Sequence, residues 1–228
     1  MKLALLGYPI AHSLSPSLYR EFLGDKLEKY DLLEIKDPLL VPGISMLAEK
    51  YDGLSITTPY KKHFFKDVVV TSPIVNELRA INTISFRKSG FYGTNTDVVA
   101  VQKILLNMKK DFPDLQLIIL GDGVMARVTL LVARSLQIAF QQFSRKKGDS
   151  VETLDLSEPS EHQTVIINSC SREFVFKGQL HPSQIFWDYN YSFKPHQITL
   201  PSQVKSYIDG QEMLRLQALA AIEFWSAT

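Results

Sequence analysis

Apolar residues fall along this chain in short runs cut by glycine, proline and polar turns, and the runs switch between strand-like and helix-like spacing. Residues 2–7 (KLALLG) are an apolar run closed by Gly7 and Pro9, which predicts a buried strand. Ser15-Pro16 reads as a helix start, with Ser as N-cap and Pro at the first helical position. Leu18, Phe22 and Leu27 follow at near-helical spacing. Residues 30–35 read as a second strand, 44–51 as a helix and 53–57 as a third strand, after which Pro59 starts another helix. Residues 81–95 have the pattern of a hairpin turning at Lys88-Ser89-Gly90. Asp97 then reads as the cap of a helix that sets Val98, Val101, Ile104 and Leu105 on one face. Strands alternating with helices predict a parallel α/β sheet.

A second α/β stretch begins near residue 115. LQLIIL (115–120) predicts a buried strand, Gly121 to Ala126 a turn into a helix that runs through Leu136, and IAFQQF (138–143) the next strand, ending at Ser144-Arg145-Lys146-Lys147. Residues 164–169 and 185–189 predict two more strands. The last segment, Gln211 to Trp225, is apolar nearly all round, as in helices buried between other elements. It is expected to fold back onto the first stretch, which would make that domain discontinuous.

Composition changes this picture little. The chain has 228 residues, enough for one large domain or two small ones. Lys and Arg total 25 against 24 Asp and Glu, so no global field favours nucleic acid or an anionic membrane, and any anion site must be built locally. The single cysteine, Cys170, cannot form an internal disulfide and points to a reducing, cytoplasmic setting. The N-terminal apolar run is too short for a signal peptide, and no run of apolar residues is long enough to span a bilayer. His63, His162, His181 and His196 lack partners at metal-ligand spacing, so no metal is expected.

Gly121-x-Gly123-x-x-Ala126 follows a predicted strand and opens a predicted helix, the context in which this pattern binds a dinucleotide. Gly121 allows the tight turn, Gly123 lets backbone approach a pyrophosphate, and Ala126 lets helix and strand pack closely. The unpaired amides at the helix start, around Val124, face the anion. The bland alternative is a tight strand-to-helix turn with no ligand. At the end of the next strand an NAD site would place a carboxylate for the ribose hydroxyls. This chain has Ser144, Arg145, Lys146 and Lys147 instead, cations that suit the 2′-phosphate of NADP, or else form a solvated basic turn.

Four motifs occur in one order: GYPIAHSLSP (7–16), SITTPYK (55–61), AINTI (80–84) and GTNTD (93–97). With IINSCS (166–171), DYNY (188–191) and DGQEMLRLQA (209–218), the chain resembles the shikimate dehydrogenase family over almost its whole length. The resemblance implies two domains. Residues 1–98 plus 210–228 would form an α/β substrate-binding and catalytic domain, and 99–209 a Rossmann-like NADP domain. It also implies reduction of 3-dehydroshikimate to shikimate with NADPH, in aromatic amino-acid biosynthesis.

By position, Lys61 matches the family's catalytic lysine, and Asn82 and Asp97 match residues holding the ring hydroxyls. Ser13 and Ser15 match donors to the substrate carboxylate, and Thr57 and Gln217 further substrate contacts. Tyr191 and Gly210 match positions at the mouth of the cleft, next to substrate and cofactor respectively. The residue types suit the task independently: short hydroxyl and amide side chains fit a small polyhydroxylated acid. An ammonium can stabilise the alkoxide that hydride attack creates and can deliver the proton. Lys61 could instead act mainly as an electrostatic and orienting group, with a water handling the proton. His12, among donors that already serve the ligand, reads as structural.

The chain departs from the family in places. It is shorter, chiefly after Arg145, where a longer helical stretch is usual, so the second domain is expected to lack a helix. Asp122 and Val124 replace small residues in the glycine loop, Val98 replaces Gly, and Tyr19 replaces His. A carboxylate at Asp122 would repel a pyrophosphate unless it pointed to solvent. Two other readings stand beside the first: a quinate/shikimate dehydrogenase, and a non-catalytic shikimate-binding homologue with a degenerate cofactor domain. A monomer or homodimer acting on a small molecule, with no nucleic-acid or membrane partner, fits any of them.

Overall fold

In the computed structural model, which describes residues 1–227, the fold is α/β and the chain divides into two compact units. The first comprises Met1–Val99 and the chain from Arg215 onward; the second is Ala100–Leu214.

The first unit is built on β1 (Lys2–Gly7), β2 (Lys29–Glu34), β3 (Gly53–Ile56), β4 (Thr83–Arg87) and β5 (Gly90–Thr94), in the order β2-β1-β3-β4-β5. The first three strands are mutually parallel, joined through α1 (Ser15–Leu23) and α2 (Ile44–Ala48). After β3, α3 (Pro73–Leu78) leads into the β4–β5 hairpin, which adds antiparallel to β3. The sheet is therefore mixed, because a two-residue turn at Lys88-Ser89 can join only antiparallel strands. α2 is also shorter than residues 44–51: it ends at Ala48, and Glu49 caps it. The inner strand β1 is apolar and buried along nearly its whole length, as expected for a strand covered on both faces, whereas the edge strand β2 has no buried residue.

Helices α4 (Thr96–Asp111) and, further on, α7 (Gln211–Ser226) each begin in one unit and end in the other. The last turns of α7 pack on the first sheet. Trp225 is buried, and its indole donates to the carbonyl of Ile84 at 2.8 Å. Gly53 is required beneath it, since a Cβ there would lie 2.4 Å from the indole ring.

The second unit holds β6 (Gln116–Leu120), α5 (Val124–Ser135), β7 (Ala139–Phe143), β8 (Asp155–Leu156), β9 (Thr164–Asn168), β10 (Gln179–Leu180), β11 (Ile185–Asp188), α6 (Lys194–Thr199) and β12 (Ser206–Ile208). Its main sheet is wholly parallel, in the order β12-β11-β9-β6-β7, and β8 pairs with β10 as a separate ribbon. Between β7 and β9 the chain makes only short 3₁₀ turns and β8, so the crossover there has no α-helix, as the shortened sequence predicts. Leu120, Ile166, Phe174, Phe176, Phe186 and Leu200 form the core on this side.

Each sheet has a strand from which the chain turns first to one side and then to the other. In the first unit β1 lies between β2 and β3; in the second β6 lies between β7 and β9. Such reversals open a crevice at the carboxyl ends of the two strands, where α/β folds bind ligands.

Candidate functional site

The first crevice is assembled where β1 and β3 end. Thr57 follows β3, donates its amide to the Leu6 carbonyl at 2.9 Å, and lies over Gly7 so closely that a Cβ at Gly7 would sit 2.3 Å from its methyl. Lys61 lies in a short 3₁₀ turn (Tyr60–Lys62) that is anchored on both sides. The Tyr60 hydroxyl donates to the Ile35 carbonyl at 2.7 Å, and the Ile81 amide donates to the Lys61 carbonyl at 2.7 Å. The Lys61 ammonium meets the Asp97 carboxylate at 2.7 Å, with only 14% and 11% of the two side chains exposed. The mutual charge offsets the cost of removing both groups from water.

Asp97 sits in the first turn of α4, where the helix dipole favours a carboxylate. It does not act as the cap. The cap is supplied by Asn95, whose side-chain oxygen accepts from the Asp97 amide at 3.1 Å, leaving the Asp97 carboxylate for Lys61. Similarly, Ser15 is the first residue of α1, the cap position falls on Leu14, and the Ser13 hydroxyl accepts from the Ser15 amide at 3.2 Å. In both helices the cap is thus supplied by a neighbour of the residue that the sequence marks as a candidate site residue.

Asn82 is buried, and its side-chain oxygen accepts from the Thr96 amide at 2.7 Å and from the hydroxyls of Thr83 and Thr96 at 3.0 and 3.2 Å. Its amide nitrogen makes no hydrogen bond among the described residues. The Thr96 hydroxyl also approaches the Gln217 side-chain oxygen at 3.4 Å, which ties α7 into the same network. Lys61 and Asp97 are therefore joined directly, and Asn82 and Gln217 through Thr96, the residue that precedes Asp97. Asn95, Thr96 and Thr83 were not singled out in the sequence. The clue was the polar run TNTD on an otherwise apolar path into α4.

A second layer lies behind Ser15 and Gln217. Tyr19 and Tyr30 stack with ring centroids 5.2 Å apart, and the Tyr30 hydroxyl reaches Ser55 Oγ at 3.4 Å. Burial pushes both phenols well above the ordinary tyrosine range. The Tyr19 hydroxyl interacts with Ser55 and Gln217, and that of Tyr30 with Ser55 and Ser15. Tyr19, which departs from the family pattern, is thus a buried neutral donor beside Gln217, one of the expected substrate contacts. His12 is exposed, with no role in this network.

The second crevice, where β6 and β9 end, is a cavity of about 260 Å³ lined by Gly121, Asp122, Gly123, Ser144, Arg145, Lys146, Val151, Ser169, Cys170, Ser171 and Phe174. Gly121 has φ +110°, a conformation that favours glycine, and a Cβ there would lie 2.8 Å from Ser169 Oγ. Around Gly123, where α5 starts without a side-chain cap, a Cβ would meet nothing within 4 Å. The loop is open above the helix amides, as an anion site requires. The Ser144 hydroxyl is buried with no hydrogen-bond partner among the described residues, while Arg145 and Lys146 are exposed. An orphan hydroxyl beside two cations fits a phosphate that would complete it. Asp122 fits less well: its carboxylate lies inside this lining and pairs with Lys146 at 3.0 Å. Burial pushes the Cys170 thiol up to about 11, so it is not a thiolate nucleophile at neutral pH.

The remaining sequence candidates lie elsewhere in the second unit. Ala126 is fully buried under α5, where it allows close helix–strand packing, and neither it nor Val124 lines the cavity. Tyr191 carries Arg172 over its ring at 5.3 Å. Gly210 is buried, and a Cβ there would lie 2.2 Å from the Tyr189 carbonyl oxygen, so packing alone demands glycine. A buried polar network had no signature in the sequence. His196 Nδ1 bonds Asp188 at 2.5 Å, its Nε2 accepts the Phe176 amide at 2.9 Å, and Asn168 donates to Asp188 at 2.9 Å. With Nε2 accepting, the proton sits on Nδ1 and is donated to Asp188. This network holds β9, β11 and α6 together. Among the described residues no group of three His, Cys, Asp or Glu could hold a metal, and no helix is long and apolar enough to cross a membrane.

Residues 5–84 match the family model described as the shikimate dehydrogenase substrate binding domain. The chain is 28% identical to the shikimate dehydrogenase (NADP(+)) of Oceanobacillus iheyensis, covering 100% of this chain and 93% of that protein. That alignment spans 256 positions, more than the 228 residues here, so the relative carries segments this chain lacks. A shorter match, 35% identical, links 53% of the chain to 46% of the shikimate dehydrogenase (NADP(+)) of Hydrogenovibrio crunogenus. In fold the chain is similar to the shikimate 5-dehydrogenase of Thermus thermophilus in complex with NADP(H) and shikimate, with TM-score 0.76, 19% identity, and coverage of 99% of this chain and 93% of that one. It is also similar to shikimate dehydrogenase from Thermotoga maritima, with TM-score 0.73, 22% identity and the same coverage. In motif order, in its two α/β units and in the matched substrate domain, this chain is similar to the shikimate dehydrogenases.

Proposed function

We propose that the protein is an NADP-dependent oxidoreductase that reversibly reduces 3-dehydroshikimate to shikimate, with substrate in the first crevice and cofactor in the second. The observation that carries this reading is the buried Lys61–Asp97 pair at 2.7 Å, set among hydroxyl and amide side chains.

When bound, NADPH supplies a hydride to the ketone carbon. Lys61 then has two tasks that its position suits. Its ammonium offsets the negative charge growing on the carbonyl oxygen, and it gives up a proton as the alcohol forms. Asp97 keeps the ammonium in place. In the oxidative direction Lys61 accepts the hydroxyl proton. Asn82 offers its amide to a ring hydroxyl because its oxygen is already occupied by Thr96 and Thr83. Ser13 and Ser15 receive the carboxylate, with Thr57 and Gln217 completing the contacts. Gly121, Gly123 and the first amides of α5 would hold the pyrophosphate, and Ser144 with Arg145 the 2′-phosphate. The enzyme would work in a reducing cytoplasm, in keeping with its one free cysteine.

The test is the rise in nicotinamide absorbance on mixing the protein with shikimate and NADP, with NAD and quinate as parallel controls. Turnover highest with shikimate and NADP is the expected result. Binding of shikimate without turnover under any combination would overturn the catalytic reading.

A further inference from the structure

We propose that Asp122 sets how strongly this enzyme prefers a phosphorylated dinucleotide, by occupying Lys146 and opposing the 2′-phosphate. The inference rests on the reading of the second crevice as the NADP site.

The geometry gives the carboxylate a direction. Asp122 lies between the two glycines of the loop after β6, yet its side chain reaches across to the turn after β7 and meets Lys146 at 3.0 Å. It therefore faces the part of the cavity formed by Ser144, Arg145 and Lys146, on the side away from β9. A dinucleotide pyrophosphate belongs at the start of α5, and a 2′-phosphate beside the turn after β7. Asp122 thus opposes the second group more than the first. Two effects have the same sign: a negative charge stands near where the phosphate must go, and the nearest flexible cation already has a partner. Arg145 and the Ser144 hydroxyl, buried without a hydrogen-bond partner among the described residues, are left as the main 2′-phosphate contacts. Because the Lys146 side chain is 82% exposed, its ion pair is weak and exchangeable. The loop therefore lowers affinity without closing the site.

The experiment compares calorimetric titrations of the wild type and Asp122→Asn with adenosine 2′,5′-bisphosphate and with AMP, which lacks the 2′-phosphate. Asparagine keeps the shape of the side chain and removes its charge, in a loop whose glycines are untouched. The expected result is about fivefold tighter binding of the bisphosphate and less than about twofold change for AMP, the scale of one exposed charge. The gain should shrink as salt rises. Adding Arg145→Ala to the Asp122→Asn variant should abolish most of it.

Equal gains for both probes would place the effect at the shared 5′-phosphate and overturn the proposal, as would no gain for either. Failure of the wild type to bind either probe or NADP would instead sink the reading of this crevice as the cofactor site, and the proposal with it.

Discussion

Around Lys61 the polar side chains are tied to one another in a mostly buried network, while around Arg145 the cations are exposed and tied only at the surface. In the first unit Lys61 is neutralised by Asp97, the Asn82 oxygen has three donors, Thr96 reaches Gln217, and two buried tyrosines support the hydroxyls behind them. In the second, a buried serine hydroxyl has no partner among the described residues, the cations are exposed, and the nearest carboxylate belongs to the binding loop itself. The first crevice is organised before ligand arrives. The second needs a ligand's charge to complete it. The difference matches the two proposed tasks: orienting a reacting ketone demands fixed groups, whereas a cofactor that comes and goes is held by contacts that form and break.

Changes to the first crevice should have the larger effects. Asp97→Ala leaves the Lys61 ammonium mostly buried without this carboxylate, and turnover should fall by about 10²- to 10⁴-fold in steady-state assays. A variant within about twofold of wild type would mean that Asp97 does not hold the lysine for the reaction. Asn82→Ala should act on stability as well as substrate. It orphans the Thr96 amide and removes an acceptor from two buried hydroxyls, so denaturant unfolding should report a loss of about 1–3 kcal/mol together with a raised KM. If stability held while KM rose, the network would be a ligand site only.

In the second crevice Arg145→Ala should weaken NADP by about tenfold at low salt and less at high salt, with NAD nearly unchanged. Equal weakening of both nucleotides would remove the assignment of Arg145 to the 2′-phosphate. The smallest effect concerns the tyrosine pair and appears only at alkaline pH. Burial raises both phenols in the folded protein, so the unfolded chain loses those protons first, near pH 10. Stability from these groups is fully present below that pH and is lost above it. Tyr19→Phe should flatten the alkaline fall in melting temperature, and an unchanged slope would contradict the burial of Tyr19 as a neutral donor.

The sequence carried the strand and helix order because buried parallel strands are near-continuous apolar runs, as in residues 2–7 and 164–168. It carried the glycine turn because only glycine readily accepts the backbone found at Gly121. Both cap positions were misplaced, at Ser15 and Asp97, because a polar residue near a helix start looks the same whether it caps the helix or faces a ligand. The partners that decide between these roles, Ser13 and Asn95, are visible only once the turns are folded. Gly210 looked like a cleft residue, yet the Tyr189 carbonyl alone excludes a side chain there. The Asp188–His196 network joins residues whose separation follows no helix or strand period, so no local pattern announced it.

If Lys61 is built into a finished substrate site, its contribution belongs mainly to the transition state. Shikimate affinity and turnover, both measured for Lys61→Ala, separate that role from simple binding. Turnover should fall by about 10²-fold or more, with the dissociation constant changed by no more than a few fold. Near-normal turnover, or a loss confined to shikimate binding, would contradict it.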